Sequence, residues 1–318
     1  MAAIETTSLT KDYTVGFWRP RPYRALDHLT LSVDEGEVFG FLGPNGAGKS
    51  TSLKLLMQLI YPTSGEARIL GRPLGDLAVR KRIGFLAENP YYYDYLSAEE
   101  LLTYFASLFG LRGAARAQRV AAVLDEVGLG AERRMRLRSY SKGMIQRVGL
   151  AQAILNEPEV VFLDEPMSGL DPLGRRDVRR LMLQLRDRGC TVFFSSHILS
   201  DAEALCTRVA VVAQGRLVAT GRVPDIVGLE VRGWDLVVDR ASAALVAAMG
   251  ARARHVTELP DGRYSIDLGP EQPPDDVLAL LPAHGARVVS LNPVRQTLED
   301  YFVRAVNAVE RRDTSGVA

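Results

Sequence analysis

Lys49, Ser50 and Thr51 close a nine-residue run, GPNGAGKST, that begins at Gly43. The spacing G-x-x-x-x-G-K-[ST] suits one kind of chemistry, the gripping of a polyphosphate. Gly43, Gly46 and Gly48 let the backbone turn tightly, so that several N–H groups converge on an anionic hole. Pro44, Asn45 and Ala47 complete the turn. In such a loop the lysine bridges the β- and γ-phosphates and the Ser50 hydroxyl ligates Mg²⁺. The flanks agree with this use. The apolar run Glu37 to Leu42 reads as a strand entering the loop, and Lys49 to Ile60 reads as a helix leaving it. The positive end of that helix points into the same hole. These residues predict a nucleoside triphosphate site.

A second run supplies what a triphosphate needs to be cleaved. Val160 to Pro166 reads VVFLDEP, an apolar strand ending in two carboxylates. Asp164 suits Mg²⁺, and Glu165, next to the γ-phosphate, suits the polarising of water for in-line attack as a general base. A turn follows, Ser168-Gly169-Leu170-Asp171, and then His197, just after the apolar run Thr191 to Ser195. At that spacing His197 is expected to hydrogen-bond the γ-phosphate and orient the water.

The elements that must hold these residues alternate. Leu26–Val33, Arg82–Ala87, Val160–Leu163, Thr191–Ser195 and Arg208–Ala213 read as strands, and the short apolar ones as strands buried on both faces. The stretch from about Ser97 to Leu155 reads as mostly helical, opened by a capping box of Ser97 and Glu100. Ser200 and Glu203 repeat that signal for a helix over Ser200–Cys206. After Gly228 the pattern becomes strand, helix, two strands, helix, strand, helix. Strands are expected near Trp234–Asp239, Ala253–Glu258, Arg263–Leu268 and Ala286–Asn292. That order is the one of a small ferredoxin-like module. The fold class is therefore α/β, with a domain over residues 1–228 that contains a helical part at about 90–156, and a small α+β domain over 229–318.

With 318 residues the chain suits one large or two modest domains, and 47% hydrophobic with 24% charged residues is ordinary for a globular protein. No run approaches the roughly 18 to 20 apolar residues that span a bilayer. The N-terminus carries neither the basic nor the apolar part of a signal peptide, and the two cysteines, Cys190 and Cys206, cannot form a staple framework. A cytoplasmic protein is expected. A net charge of +1 gives no general drive toward nucleic acid, and none is expected as a partner.

Taken together, the phosphate loop, LDEP and His197 resemble the ATP-binding cassette (ABC) ATPases, over residues 1 to about 228. The diagnostic element of that family is a signature loop at the start of a helix, usually L-S-G-G-Q. Here Tyr140-Ser141-Lys142-Gly143-Met144 stands at that place, so Lys142 replaces a glycine and Met144 a glutamine. Ser141 and Gly143, whose hydroxyl and N–H the resemblance aims at a γ-phosphate, are retained, and Lys142 adds positive charge. Glu88, in GFLAENP, stands where the family places a glutamine that touches Mg²⁺ and the attacking water. Glutamate still offers oxygen to a hard cation, while its charge weakens nucleotide affinity or slows turnover. Tyr13 matches the aromatic that stacks on adenine; the insertion GFWRPRPYR after it makes Tyr23 the rival candidate. Glutamate at this place together with S-x-G-M resembles a bacterial exporter-type branch.

The resemblance implies an ATPase using ATP and Mg²⁺, in which the signature loop of one subunit closes on ATP bound by the other. Ser168 to Asp171 form the linking D-loop. The partners implied are a second ABC ATPase subunit, in a homodimer or heterodimer, and separate transmembrane permease subunits that hold the chain on the inner face of the membrane. Four tyrosines in NPYYYDY, Asn89 to Tyr95, serve either as anchors for those subunits or as local packing. Leu298, Phe302 and Val306 fall at helical spacing near the C-terminus. Two other readings stay open: a non-transport cassette acting on nucleic acid or ribosomes, and a weakly hydrolysing regulatory subunit.

Overall fold

Five parallel strands carry the phosphate loop and both carboxylates to one edge of a sheet. In the computed structural model, which describes residues 1–305 except 17, 229, 230 and 251, the chain divides into two compact units. The first covers residues 1–223 with 302–305, and the second Pro224–Tyr301.

The first unit opens with two long antiparallel strands, β1 (Ala2–Val15) and β2 (Arg21–Asp34), followed by β3 (Val38–Leu42) and α1 (Lys49–Leu56). Next come β4 (Ser64–Ile69), β5 (Arg72–Pro73), α2 (Leu77–Arg80) and β6 (Ile83–Leu86). The helical part is α3 (Ala98–Leu108), α4 (Gly113–Glu126) and α5 (Lys142–Ile154), and α3 has the capping box of Ser97 and Glu100. The chain returns through β7 (Val160–Leu163), α6 (Pro172–Asp187), β8 (Thr191–Ser196), α7 (Leu199–Leu205), β9 (Arg208–Ala213) and β10 (Arg216–Arg222). The short α8 (Val223–Val227) lies at the division between the units.

Among the described residues β1, β2, β4 and β5 form an antiparallel sheet in the order β2-β1-β4-β5. The central sheet runs β10-β9-β3-β8-β7-β6, parallel except for β10. Its middle strands β3, β7 and β8 are buried throughout, because each lies under cover on both faces. Phe193 is the hub of this core, with ring centroids 5.7 Å from Phe39, 5.4 Å from Phe41 and 5.7 Å from Phe162. Leu42 pairs with Ser196, and Leu163 with Phe194. The loop after β3, the carboxylates after β7 and His197 after β8 therefore leave the sheet side by side, where open parallel sheets bind ligands.

The second unit contains β11 (Val231–Asp239), α9 (Ala243–Gly250), β12 (His255–Leu259), β13 (Arg263–Leu268), α10 (Pro274–Leu278) and β14 (Arg287–Arg295), then helical residues 298–301. Its antiparallel sheet has the order β12-β13-β11-β14. This is the ferredoxin-like arrangement, with the first and third strands central. Leu236, Val238, Ile266 and Leu268 on the strands pack with Leu245, Met249, Val277 and Leu281. Leu298 is fully buried, and Val306 lies outside the described residues.

Two local expectations are corrected. The helix after the phosphate loop stops at Leu56 and not at Ile60, because Gln58 turns to φ +55° and its N–H closes on Leu55. Ser200 does not cap α7, which starts at Leu199 behind Ile198. Ser196 makes that turn instead, its Oγ accepting the N–H of Ile198 at 2.9 Å. Strands β1, β4, β5 and β10 were not foreseen. Cys190 and Cys206 are buried free thiols, and burial pushes Cys190 up to about 12.

Candidate nucleotide site

The phosphate loop is shaped by what lies against it. Gly48 has φ +101°, and a Cβ there would stand 2.5 Å from the carbonyl oxygen of Ala25, so only glycine fits. Lys49 follows as the first residue of α1 and is 6% exposed. Its ammonium donates to the carbonyl oxygens of Gly43 at 2.7 Å and Pro44 at 3.2 Å, and stands 3.3 Å from Oε1 of Glu165. Gly43 anchors the loop to the sheet through its N–H on Ser196 at 3.3 Å, and Ala47 is buried beneath it.

Both carboxylates are buried. Oδ1 of Asp164 accepts from Ser195 Oγ at 2.6 Å and from Ser50 Oγ at 3.3 Å. Ser195 also accepts the backbone N–H of Glu165 at 3.0 Å. Glu165 sits at φ +49°, a conformation that costs a non-glycine residue about 1–3 kcal/mol and persists only where the surroundings impose it. Its Oε2 lies 2.8 Å from Nδ1 of His197, whose ring is half-exposed. With Nδ1–H donating to Glu165, the other ring nitrogen is left for whatever occupies the cleft.

That cleft encloses about 350 Å³. Its lining takes in Pro44, Asn45, Gly46, Gly48, Lys49, Ser50 and Thr51 from the loop, Glu88 and Glu165 from strand ends, and Tyr13, Tyr23 and Ala25 from β1 and β2. The oxygen donors Ser50, Asp164 and Glu88 are hard ligands of the kind Mg²⁺ takes alongside phosphate oxygens. Ser195 was missed from sequence. A serine inside an apolar strand looks like packing, and only the pairing of β8 with β7 brings it to the carboxylates.

A second cluster lies elsewhere, and residues 141–144 do not line the cleft. Ser141 caps α5, its Oγ accepting the Met144 N–H at 3.2 Å. Lys142 lies over Gly169, where an added Cβ would meet Nζ at 2.7 Å. Gly143 faces Leu170, and Gln146 Nε2 donates to the Pro166 carbonyl at 3.2 Å. Ser168 closes its turn on Glu165 through a 3.0 Å backbone bond, and Asp171 caps α6 by accepting from Gly174 at 2.8 Å. The chain thus joins the loop after Glu165 to the start of α5, on a surface apart from its own cleft.

Residues 26–168 match the ABC transporter family profile. A relative from Synechocystis sp., an uncharacterized ABC transporter ATP-binding protein, is 43% identical over 303 residues, which is 95% of this chain and 84% of the relative. The chain belongs to the ABC transporter ATP-binding protein family. The bacitracin transport ATP-binding protein BcrA of Bacillus licheniformis is 40% identical over 217 residues, covering 67% of this chain and 68% of that protein. Among solved structures, an ATP-binding subunit of an ABC transporter superposes with TM-score 0.63 at 33% identity, over 70% of this chain and 91% of the other. The dimeric cassette MJ0796, in a post-hydrolysis state bound to ADP and Pi, gives TM-score 0.63 at 27% identity over 69% and 98%. This cassette is an ATPase, and ABC ATPase domains work as dimers with membrane permease subunits.

The tyrosine run of the cassette lines a broader groove of about 690 Å³ with Phe85, Leu101, Tyr104 and Gln152. Its members divide between packing and exposure. Tyr92 packs inward, its hydroxyl donating to Gln152 Oε1 at 2.7 Å and its phenol raised by burial. Tyr91, Tyr93 and Tyr95 are exposed. Among the described residues no helix is long and apolar enough to cross a membrane.

Proposed function

We propose that this chain is the ATP-hydrolysing subunit of a membrane exporter, with composite ATP sites formed between two cassettes. The observation that carries the hydrolytic part is Glu165, buried at the mouth of the phosphate loop and bracketed by Lys49 and His197. In this reading the loop from Gly43 to Thr51 holds the triphosphate, and Ser50, Asp164 and Glu88 hold Mg²⁺, which neutralises charge on the phosphates. Glu165 takes the proton of the attacking water while His197 and Lys49 position the γ-phosphate.

The signature residues Ser141, Lys142, Gly143 and Met144 serve the partner's nucleotide. Their packing on Ser168 to Asp171 supports this, because it ties the state of one site to the surface that completes the other. ATP then favours the closed dimer by its differential affinity, and loss of the γ-phosphate releases it. Export is supported by the names of relatives: bacitracin transport for BcrA, and a probable multidrug transporter for YbhF of Escherichia coli, 36% identical over 225 residues. The groove of exposed tyrosines suits the permease, which would keep the cassette at the inner face of the membrane.

Glu165→Gln tests the reading. It should bind ATP, lose about 10²-fold or more in turnover, and accumulate as a dimer on a sizing column with Mg²⁺ and ATP. Wild-type phosphate release by this variant removes Glu165 from the role.

A further inference from the structure

The first hairpin projects well past the core that it helps to cover. Beyond the register pair Asp12↔Arg24 the strands β1 and β2 run on to Val15↔Arg21, about 10 Å at the rise of a strand. Every described residue from Thr14 to Arg24 is exposed. The turn is held by Gly16, whose φ is +102° and where a Cβ would stand 2.8 Å from the carbonyl oxygen of Arg19. Trp18 and Arg19 occupy the bend that follows, and Trp18 is 90% exposed.

The charges of this projection have one sign. Arg24 donates to both carboxylate oxygens of Asp12 at 2.9 and 3.2 Å and to Asp27 at 3.1 Å, so the acids of the hairpin are engaged at its base. From Tyr13 to Tyr23 the sequence has no Asp or Glu, and it has Arg19 and Arg21. Val15, the register partner of Arg21, is 56% exposed and adds apolar surface beside the indole. Pro20 and Pro22 carry no N–H, which leaves two fewer donors to strip of water where the tip meets a less polar layer.

This combination matches the outer layer of a bilayer. An indole, with an apolar body and one N–H, settles at the depth of lipid headgroups. Arginine reaches the phosphates of the same layer while its stem lies along apolar surface. The cytoplasmic leaflet carries anionic lipid, and each basic residue close to it strengthens binding about fivefold. Attachment through one such signal is marginal and takes a second to become stable. The tip carries both an apolar wedge and a basic pair.

We propose that the tip of the β1–β2 hairpin is a lipid-contacting element, in which Trp18, Arg19 and Arg21 enter the headgroup layer of an anionic phospholipid surface. The proposal rests on the exporter reading only for the presence of a membrane within reach. The tip is then a direct attachment of the cassette to lipid, separate from its hold on the permease. Two weak contacts in one assembly reinforce each other, because each raises the effective concentration for the other.

The test is sedimentation of the full chain with vesicles that hold no permease, made of phosphatidylcholine alone or of phosphatidylcholine with phosphatidylglycerol. The wild type should bind the anionic vesicles and not the neutral ones, and more weakly as salt is added. Trp18→Ala should weaken that binding about tenfold. Arg19→Gln/Arg21→Gln should weaken it about 25-fold. Both variants should keep wild-type ATP hydrolysis in solution. Anionic vesicles that fail to carry down the wild type overturn the proposal, including the case in which only vesicles with a permease do so. Wild-type binding by either variant also overturns it, because the lipid would then be held elsewhere on the chain. So does a loss of hydrolysis without lipid, which would make the tip part of the cleft. The Glu165→Gln experiment contains no lipid, so the hydrolytic reading stands or falls apart from this one.

Discussion

Ser195 donates its hydroxyl hydrogen to Asp164 across 2.6 Å, and the same oxygen receives the backbone N–H of Glu165 at 3.0 Å. One side chain on β8 thereby sets both carboxylates that end β7. It also satisfies a buried N–H at a residue with positive φ, where no neighbouring strand bond is available to hold the turn.

Ser195→Ala should consequently lose on two counts. The Glu165 N–H becomes an unpartnered buried donor, costing about 1–3 kcal/mol. In a unit of this size that lowers the melting temperature by several degrees. Turnover should fall about tenfold to a hundredfold as Asp164 and Glu165 loosen. Thermal melting and phosphate release read the two effects, and unchanged values in both would make Ser195 a bystander.

Gly169 offers a second test, at the junction of the two clusters. Its φ of +69° disfavours any side chain by about 1 kcal/mol, and a Cβ would press on the end of Lys142. Gly169→Ala should lower steady-state turnover several-fold. If displacement of Lys142 is the cause, the double variant Lys142→Gly/Gly169→Ala should recover much of the loss. A double variant no better than the single would assign the effect to backbone strain alone.

The helix α3 supplies a pH dependence. The Glu100 carboxyl is held below its ordinary value, first by the backbone N–H of Ser97, with the Ser97 hydroxyl and the nearby Arg136 adding to the effect. A carboxyl lowered on folding contributes stability that is fully present above its unfolded pKa, about 4.3, and is lost as pH falls through the lower folded value. Glu100→Ala should therefore melt below the wild type at pH 7. The gap should close below about pH 4, and a gap that persists there would show that the cap does not depend on charge.

Much of this was legible in the sequence because the chemistry and the backbone demand coincide. Glycines of the phosphate loop, the LDEP strand end and the capping box of Ser97 each combine a local conformational requirement with a residue type that few other settings favour. The strands that were missed lack such a signal. The run Ala2–Val15 is rich in threonine and interrupted by bulges, so it shows no clean alternation, and Ser64–Ile69 buries only Ala67 and Ile69. Ser195 was hidden for another reason: its role exists only once β7 and β8 are side by side. Ser200 misled because a capping box carries weight only where the backbone has not already been turned, and Ser196 turns it first.

The position of β3 has a consequence for biosynthesis. Its two neighbours in the sheet are β8 and β9, so Val38–Leu42 finds strands from residues 191–213 on either side. A ribosome adding about 5–20 residues per second extends the chain for some ten to thirty seconds before both edges of that apolar strand can be covered. Until β9 has been made, at least one edge of Val38–Leu42 lacks its partner strand. The strand that opens the nucleotide loop is made early and sheltered late.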